Sequence, residues 1–276
     1  MNDTIKVRSP LKWAGGKYRV FDKVQSKLPY GNRLIEPFVG SGAIFLNADY
    51  KNYTLNDKNT DLINFYRALK KHGNEFIYLC RDLFTKKNNS STQYYKFRNE
   101  FNNTSDKIRK SALFLYLNRH SYNGLCRYNL SGEFNVPFGR NSNPYFPEKE
   151  LIFLKSKIKK AKLYNKDFES VMKEAKPGDI IYCDPPYVPI SDTSNFTAYN
   201  AKGFSMEEQH RLAELAKDLA RKGIPVLISN HATDFTKEIY AESDYEIFSV
   251  RRFISCNGEK RQKIDEILAF YGAYDN

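Results

Sequence analysis

Short apolar segments alternate with helical patterns along most of this chain, and that alternation restricts the fold more than any other feature. Arg33–Glu36 and Tyr53–Leu55 are typical of strands, and each precedes a segment with helical spacing. The pattern returns with the apolar strands Asp179–Cys183 and Ile224–Ser229. Because parallel strands require helical crossovers, the sequence predicts an α/β fold with a Rossmann-like, doubly wound and mostly parallel sheet.

Two late strands differ from the others. Tyr245–Arg251 and Ile264–Phe270 are separated only by a polar loop, without a helix between them. Such a connection suits antiparallel neighbours, so we predict an antiparallel edge on the sheet.

A long insertion interrupts the alternation. Residues 74–117 have helical spacing, and the segment from Leu125 to Val136 predicts a β-hairpin with Gly132 in its turn. We therefore predict one domain formed by residues 1–57 and 163–276, with an inserted helical lobe at 58–162 that carries the hairpin.

Composition narrows the class of partner without deciding it. The 276 residues include 44 Lys and Arg against 32 Asp and Glu, a net charge of +12. This excess suits nucleic acid, and a lysine-rich surface accounts for it equally well. The four cysteines form no C-x-x-C pair, so we predict reduced thiols and no metal. Without an apolar signal segment or a run long enough to span a bilayer, we predict a cytoplasmic protein.

A glycine-rich loop, Glu36-Pro-Phe-Val-Gly-Ser-Gly42, lies between a predicted strand and a helix. Gly40 and Gly42 allow a sharp turn and a close approach to a ligand, and the helix start favours a phosphate or an amino acid moiety. Asp57 follows the next strand, where an acidic residue can hold ribose hydroxyls. An isolated glycine turn is more often structural, but this context favours ligand binding. The six-residue dinucleotide fingerprint is missing, which argues against NAD.

Asp184-Pro-Pro-Tyr187 follows a predicted strand, at the end where α/β sheets bind ligands. The two prolines fix the backbone and remove two N–H donors, so a carboxylate and free carbonyls remain to accept the hydrogens of an amino group. Tyr187 adds a flat face on which a base can stack.

Six motifs, and their order along the chain, resemble those of the bacterial DNA adenine methyltransferase (Dam) family. This family belongs to the α-group of amino-methyltransferases, and its members recognise GATC. The resemblance extends from Pro10 to Tyr271. The motifs are Leu11-Lys-Trp-Ala-Gly-Gly-Lys-Tyr18, Phe114-Leu-Tyr-Leu-Asn-Arg119, Tyr122-Asn-Gly-Leu-Cys-Arg-Tyr-Asn129, Gly132-Glu-Phe-Asn-Val-Pro-Phe-Gly139, Asp184-Pro-Pro-Tyr187 and Val226-Leu-Ile-Ser-Asn230.

The resemblance implies transfer of a methyl group from S-adenosylmethionine to N6 of adenine in double-stranded DNA. Asp184 and the Pro185 carbonyl would accept hydrogen bonds from the amine, with Pro186 completing the rigid segment and Tyr187 stacking on the base. Such bonds would expose the nitrogen lone pair for direct transfer, after the base has left the stack. The residues implied to bind the cofactor are Trp13, Ala14, Lys17, Phe38, Gly40, Ser41, Gly42, Asp57 and Asp184.

DNA recognition is expected from the inserted lobe, since a hairpin can enter the major groove and Arg127 suits a bidentate contact with guanine. The resemblance assigns Arg127 to one guanine of GATC and Lys12 to the other. It also implies that Leu125 and Pro137 approach thymine methyls, that Tyr122 wedges into the stack, and that Asn123 lies near the flipped adenine or its partner. Asn141 departs from the family pattern, which has an aromatic there. The remaining candidate DNA contacts are Arg98, Arg119, Asn129 and Arg140.

Several alternatives remain open from the sequence. An enzyme for cytosine N4 would use the same grip on an amine, and a non-catalytic DNA-binding protein or an RNA methyltransferase would share the scaffold. A cytosine C5 enzyme is disfavoured because Cys183 lacks the context of a nucleophile. We expect a monomer whose partner is double-stranded DNA, with neither metal nor membrane. The polar loop from Val188 to Gly203 has the length of a lid.

Overall fold

The computed structural model describes residues 6–190, 204–251 and 263–272. Most of the predicted lid, residues 191–203, lies outside this described part of the chain.

The sheet follows the predicted doubly wound pattern. Its strand order is β3-β2-β1-β4-β5-β7-β6. The chain adds β2 and β3 on one side of β1 and then continues with β4 on the other side, so the topological switch point lies between β1 and β4. β1 pairs in parallel with β2 and β4, and β4 with β5. The predicted antiparallel edge is confirmed, because β7 pairs antiparallel with both β5 and β6. The strands are β1 Arg33–Glu36, β2 Asn52–Asn56, β3 Ala161–Tyr164, β4 Asp179–Cys183, β5 Val226–His231, β6 Asp244–Arg251 and β7 Lys263–Tyr271.

Helices occupy the intervals between the parallel strands and most of the insertion. The predicted helical block at 74–117 contains three helices. The helices are α1 Phe21–Gln25, α2 Ala43–Asn47, α3 Thr60–His72, α4 Asn74–Arg81, α5 Ser91–Asn103, α6 Lys107–His120, α7 Glu148–Lys157, α8 Phe168–Met172, α9 Met206–Arg221 and α10 Asp234–Ile239. Short 3₁₀ turns lie at Lys17–Arg19, Lys86–Asn88, Tyr122–Gly124 and Ile158–Lys160.

Local sequence explains where these elements begin. Every residue of β4 is buried, as an apolar central strand requires. At the start of α9, Ser205 Oγ accepts the Glu208 N–H at 3.1 Å, and the Glu208 carboxylate accepts the Ser205 N–H at 2.9 Å. This reciprocal capping box satisfies two of the amides that a helix start leaves unpaired.

The chain divides into two compact units. Unit 1 comprises Met1–Arg19, Val39–Asp49 and Asn56–Asn165, and unit 2 comprises Val20–Phe38, Tyr50–Leu55 and Lys166–Asn276. Among the described residues, no helix has the length and apolar character needed to cross a membrane.

Aromatic side chains dominate the core of unit 1. Phe65 of α3 contacts Phe76 of α4 and Phe114 of α6, with ring centroids 5.9 and 6.2 Å apart. Phe101 of α5 packs against Phe114 and Phe134, so the helices and the segment after α6 share one apolar centre.

The predicted hairpin is present in a minimal form. Its antiparallel pairing is the bridge between Tyr128 and Phe134, and the Asn129 N–H donates to the Glu133 carbonyl at 2.9 Å. Gly132 has a φ of +79°, the left-handed turn conformation predicted for it. The segment is therefore a tight turn with one ladder rung rather than two extended strands.

Candidate functional site

The part of the glycine loop that lies in unit 1 is held by the side chains of Asp57 and Tyr66. Gly40 and Gly42 have φ values of +49° and +72°. The Gly40 N–H donates to Asp57 Oδ2 at 3.0 Å, and the Tyr66 hydroxyl donates to the Gly40 carbonyl at 2.8 Å. A Cβ at Gly40 would lie 2.9 Å from Trp13 Nε1, so glycine is required both for its φ and for this close approach.

Asp57 is the carboxylate that follows β2, as the sequence predicts. Its Oδ1 accepts the Asn59 N–H at 2.8 Å while its Oδ2 accepts the Gly40 N–H. Burial raises the pKa of Asp57, and these two amide bonds act in the opposite direction. Each oxygen has a second lone pair, so the carboxylate can still accept hydrogen bonds from ligand hydroxyls.

The residues near this loop that are expected to bind the cofactor differ in exposure. Trp13 is half-buried, whereas Ala14 is exposed. Lys17 is buried, with its Nζ donating to the Gly15 carbonyl at 2.8 Å. Ser41 is buried as well, and its carbonyl accepts the Ser9 hydroxyl at 2.7 Å.

Phe38 belongs to unit 2, as do Glu36 and Pro37, whereas Val39 to Gly42 belong to unit 1. Its ring packs 5.4 Å from both Phe168 and Phe204. In the described structure its neighbours are therefore aromatic rings of unit 2.

In unit 2, a serine and a tyrosine orient the carboxylate of Asp184. The Ser229 hydroxyl donates to Asp184 Oδ1 at 2.9 Å, and it lies 3.0 Å from the hydroxyl of Tyr182. Tyr182 and Ser229 are both buried, whereas Asp184 is half-buried. The carboxylate is thus anchored from the strand side.

Two buried amides brace the proline segment that follows. Gln209 Nε2 donates to the Pro186 carbonyl at 2.9 Å, and Asn230 Oδ1 accepts the Val188 N–H at 3.0 Å. Asn230 Nδ2 also donates to Gln209 Oε1 at 3.0 Å, which joins the two amides. No residue in the described ranges donates a hydrogen bond to the carbonyl of Pro185.

Tyr187 is half-buried beside His231, with the two rings 4.7 Å apart in an edge-to-face arrangement. Its hydroxyl donates to Glu266 at 3.1 Å. Burial raises the pKa of Tyr187, and the charges of Asp184 and Glu266 raise it further. The phenol therefore stays neutral and keeps its aromatic face.

The turn segment in unit 1 presents exposed side chains. Arg127 is exposed, and its Nε donates to Asn135 Oδ1 at 2.9 Å, which orients the guanidinium. Asn123 has a φ of +53°, in the left-handed region that asparagine adopts more readily than other non-glycine residues. The other exposed residues predicted to contact DNA are Tyr122, Leu125, Pro137 and Arg140.

Contacts with α3 secure this turn. The Tyr128 hydroxyl donates to Asp61 Oδ2 at 2.8 Å, and Asn59 Nδ2 donates to Cys126 Sγ at 3.7 Å. Asn129 Nδ2 donates to the Glu133 carboxylate at 2.8 Å within the turn itself.

Two of the arginines predicted to contact DNA also have internal partners. Arg98 Nη1 donates to the Val136 carbonyl at 3.1 Å, and Arg119 Nε donates to the Tyr145 carbonyl at 3.1 Å. Lys12 is half-buried, and burial together with the charge of Arg119 lowers its pKa. Arg98 and Arg119 therefore also support the structure of unit 1.

Four buried polar residues carry no role in the sequence analysis: Asn118 in unit 1, and Gln209, Ser229 and Asn230 in unit 2. Asn118, Ser229 and Asn230 lie within recognised motifs, which is the signal that could have found them. Gln209 lies in an amphipathic helix and has no local signal. Within the described residues, no group of three or more His, Cys, Asp or Glu side chains could hold a metal ion.

Comparison with known proteins identifies the class. The family model of the D12 class N6 adenine-specific DNA methyltransferases matches residues 13–255. The chain is 50% identical over 266 residues to the DNA adenine methylase of Escherichia coli strain K12, with 96% of each chain covered. It is 49% identical over 267 residues to the DNA adenine methylase of Serratia marcescens, with 96% of this chain and 99% of that protein covered. A human methyltransferase 10 domain containing protein has a similar structure at a TM-score of 0.42 and 10% identity, covering 94% of this chain and 82% of that one.

The chain therefore belongs to the D12 class N6 adenine-specific DNA methyltransferases. It is an enzyme that methylates adenine in DNA, and the predicted preference for adenine over cytosine N4 is confirmed.

Proposed function

We propose that this enzyme transfers a methyl group from S-adenosylmethionine to N6 of adenine within double-stranded GATC. We propose further that Asp184 and the Pro185 carbonyl hold the target amine. The observation that carries this proposal is the anchoring of the Asp184 segment by hydrogen bonds from the buried side chains of Ser229 and Gln209.

The chemistry of the amine explains why two fixed acceptors are needed. The lone pair of the adenine amine is delocalised into the ring, which makes the nitrogen a poor nucleophile. Hydrogen bonds from its two hydrogens to Asp184 and to the Pro185 carbonyl favour a pyramidal nitrogen with an available lone pair. Ser229 already bonds one oxygen of Asp184, so the carboxylate is oriented before the base arrives.

The residues of unit 1 fit the methyl donor. Gly40 and Gly42 make a tight left-handed turn, and a side chain at Gly40 would fill the space beside Trp13. Asp57 offers a half-buried carboxylate for ribose hydroxyls. When bound, S-adenosylmethionine supplies a methyl group already activated by its sulfonium, so the protein has only to bind and orient the reactants.

Residues 1–57 and 163–276 would then form the catalytic domain, with residues 58–162 as the DNA target-recognition domain. In the second, Arg127 would read a guanine, because its guanidinium is exposed and oriented by Asn135. Lys12 would read the other guanine. Tyr122 would enter the base stack after extrusion of the adenine, and Tyr187 would stack on the extruded base.

Transfer of a labelled methyl group to a panel of short duplexes tests the proposal. We expect label in a GATC duplex, and little in duplexes that differ from it by one base pair. Asp184→Ala should lower transfer by at least about 100-fold without weakening DNA binding, because it removes an acceptor from the reacting amine. Asp218→Ala is the matched control, since Asp218 is an exposed carboxylate on α9.

Two results would contradict the proposal. Substantial turnover by Asp184→Ala would show that methyl transfer does not depend on Asp184. Equal labelling of the whole duplex panel would show that GATC is not the target.

A further inference from the structure

One buried side-chain amide contacts two separate segments of unit 1. The proposed function assigns recognition of DNA bases to both segments. Asn118, near the end of α6, is completely buried. Its Oδ1 accepts the Lys12 N–H and its Nδ2 donates to the Lys12 carbonyl, both at 2.8 Å. The same Nδ2 donates to the Gly124 carbonyl at 3.2 Å. A single side chain therefore holds the backbone at Lys12 and the backbone of the Tyr122–Gly124 turn.

The side chain of Lys12 reinforces this junction. Gly124 has a φ of +67°, and a Cβ placed on it would lie 2.3 Å from Lys12 Cδ and 2.5 Å from Lys12 Cβ. The aliphatic part of the lysine thus lies directly on the backbone of the turn. The turn has a further backbone contact at its first residue, where the Tyr122 N–H donates to the Pro137 carbonyl at 2.9 Å.

Breaking such an amide network is costly because buried backbone groups would lose their partners. Asn118 can make these three bonds only when residues 12 and 124 keep their present separation. The geometry therefore fixes the position of the Lys12 backbone relative to the turn that carries Tyr122 and Asn123.

We propose that Asn118 is a positioning residue for sequence discrimination, which holds Lys12 and the Tyr122–Gly124 turn in one register on the DNA. This inference rests on the proposed roles of Lys12 and of the turn in reading GATC. Asn118 acts through these two segments, and its own side chain is occupied by backbone groups.

Asn118→Asp tests the inference, because it keeps the oxygen that accepts the Lys12 N–H and replaces the donor to the two carbonyls. The readout is the ratio of kcat/KM on GATC to kcat/KM on each duplex with one base pair changed. We expect the ratio to fall about tenfold at the base pair read by Lys12, the scale of one good base contact. Gly124→Ala displaces the lysine stem instead and should reproduce this loss, so the test does not depend on one variant folding.

Asn47→Asp is a matched control. Asn47 accepts the Val7 N–H at 2.7 Å and donates to the Val7 carbonyl at 3.0 Å and the Ala43 carbonyl at 2.9 Å. The substitution removes the same kind of bonds from the same N-terminal segment, away from the turn. We expect a loss of thermal stability with the discrimination ratios kept within about twofold.

Lys12→Ala separates this inference from the proposed function. We expect Lys12→Ala to lower the same ratio, and Lys12→Ala with Asn118→Asp to lower it no further, because both act through one contact. If Lys12→Ala lowers the ratio and Asn118→Asp does not, the inference is wrong and the role of Lys12 stands. If Lys12→Ala leaves every ratio unchanged, the proposed role of Lys12 fails, and the inference fails with it. Equal losses in Asn118→Asp and Asn47→Asp would also overturn the inference, since they would reflect general loosening.

Discussion

Replacing Ser229 with alanine removes one hydroxyl from β5 and, with it, the contacts to Asp184 and to Tyr182. The Ser229 hydroxyl donates to Asp184 Oδ1 at 2.9 Å and lies 3.0 Å from the Tyr182 hydroxyl. Tyr182 is only 1% exposed, so water cannot replace the lost partner without a rearrangement. The variant therefore takes a donor from Asp184 and leaves the Tyr182 hydroxyl buried without its partner.

These two changes have separate magnitudes. A hydrogen bond to a charged group contributes about 1.5–3 kcal/mol, so loss of the donor to Asp184 should slow methyl transfer by about 10- to 150-fold. The unpaired Tyr182 hydroxyl should lower the free energy of unfolding by about 1–3 kcal/mol.

Tyr182→Phe separates the effect on activity from the effect on stability. In the double variant Ser229→Ala with Tyr182→Phe, no hydroxyl is left unpaired, so most of the stability should return while transfer stays slow. Tyr182→Phe alone keeps the bond from Ser229 to Asp184 and should transfer nearly normally. Urea unfolding reports the stability, and single-turnover methyl transfer in a preformed complex with DNA reports the chemical step.

The reasoning would be refuted by a Ser229→Ala variant that transfers within twofold of the original enzyme. Recovery of transfer together with stability in the double variant would equally contradict it, because activity would then follow folding rather than the orientation of Asp184.

Two further predictions concern backbone strain and acid sensitivity. Gly40→Ala should destabilise the protein by more than Gly132→Ala, measured by thermal unfolding. Both substitutions carry about 1–2 kcal/mol of left-handed strain. Only the methyl at Gly40 meets another atom closely, Trp13 Nε1 at 2.9 Å, whereas a methyl at Gly132 would enter open space. Equal losses of stability would show that the contact with Trp13 relaxes freely. Burial lowers the pKa of His120 from 6.5 to about 4, against an opposing hydrogen bond to the Tyr116 carbonyl. Because the unfolded chain then takes up the proton at higher pH than the folded chain, stability is full above pH 6.5 and falls by up to about 3 kcal/mol as the pH drops towards 4. His120→Gln should reduce this loss in urea unfolding, and an unchanged acid sensitivity would assign it to other groups.

The sequence alone determined the fold class and the segments that carry the chemistry. The apolar run of β4, the glycines at Gly40 and Gly42, and the capping box at Ser205 are local patterns. Their physical basis is the backbone conformation and burial of a few consecutive residues, which neighbouring letters encode directly. The hairpin was predictable for the same reason at Gly132, although its pairing is limited to one bridge.

Only the tertiary structure decided how those segments are held. The partners of Asn118 at Lys12 are 106 residues away, and Ser229 meets Asp184 across 45 residues. An asparagine or serine looks the same in the sequence whether it faces water or completes a buried network. The path of the chain brings each of these buried side chains to backbone or carboxylate groups far away in sequence, and the cost of leaving such groups unpaired turns ordinary polar residues into structural supports.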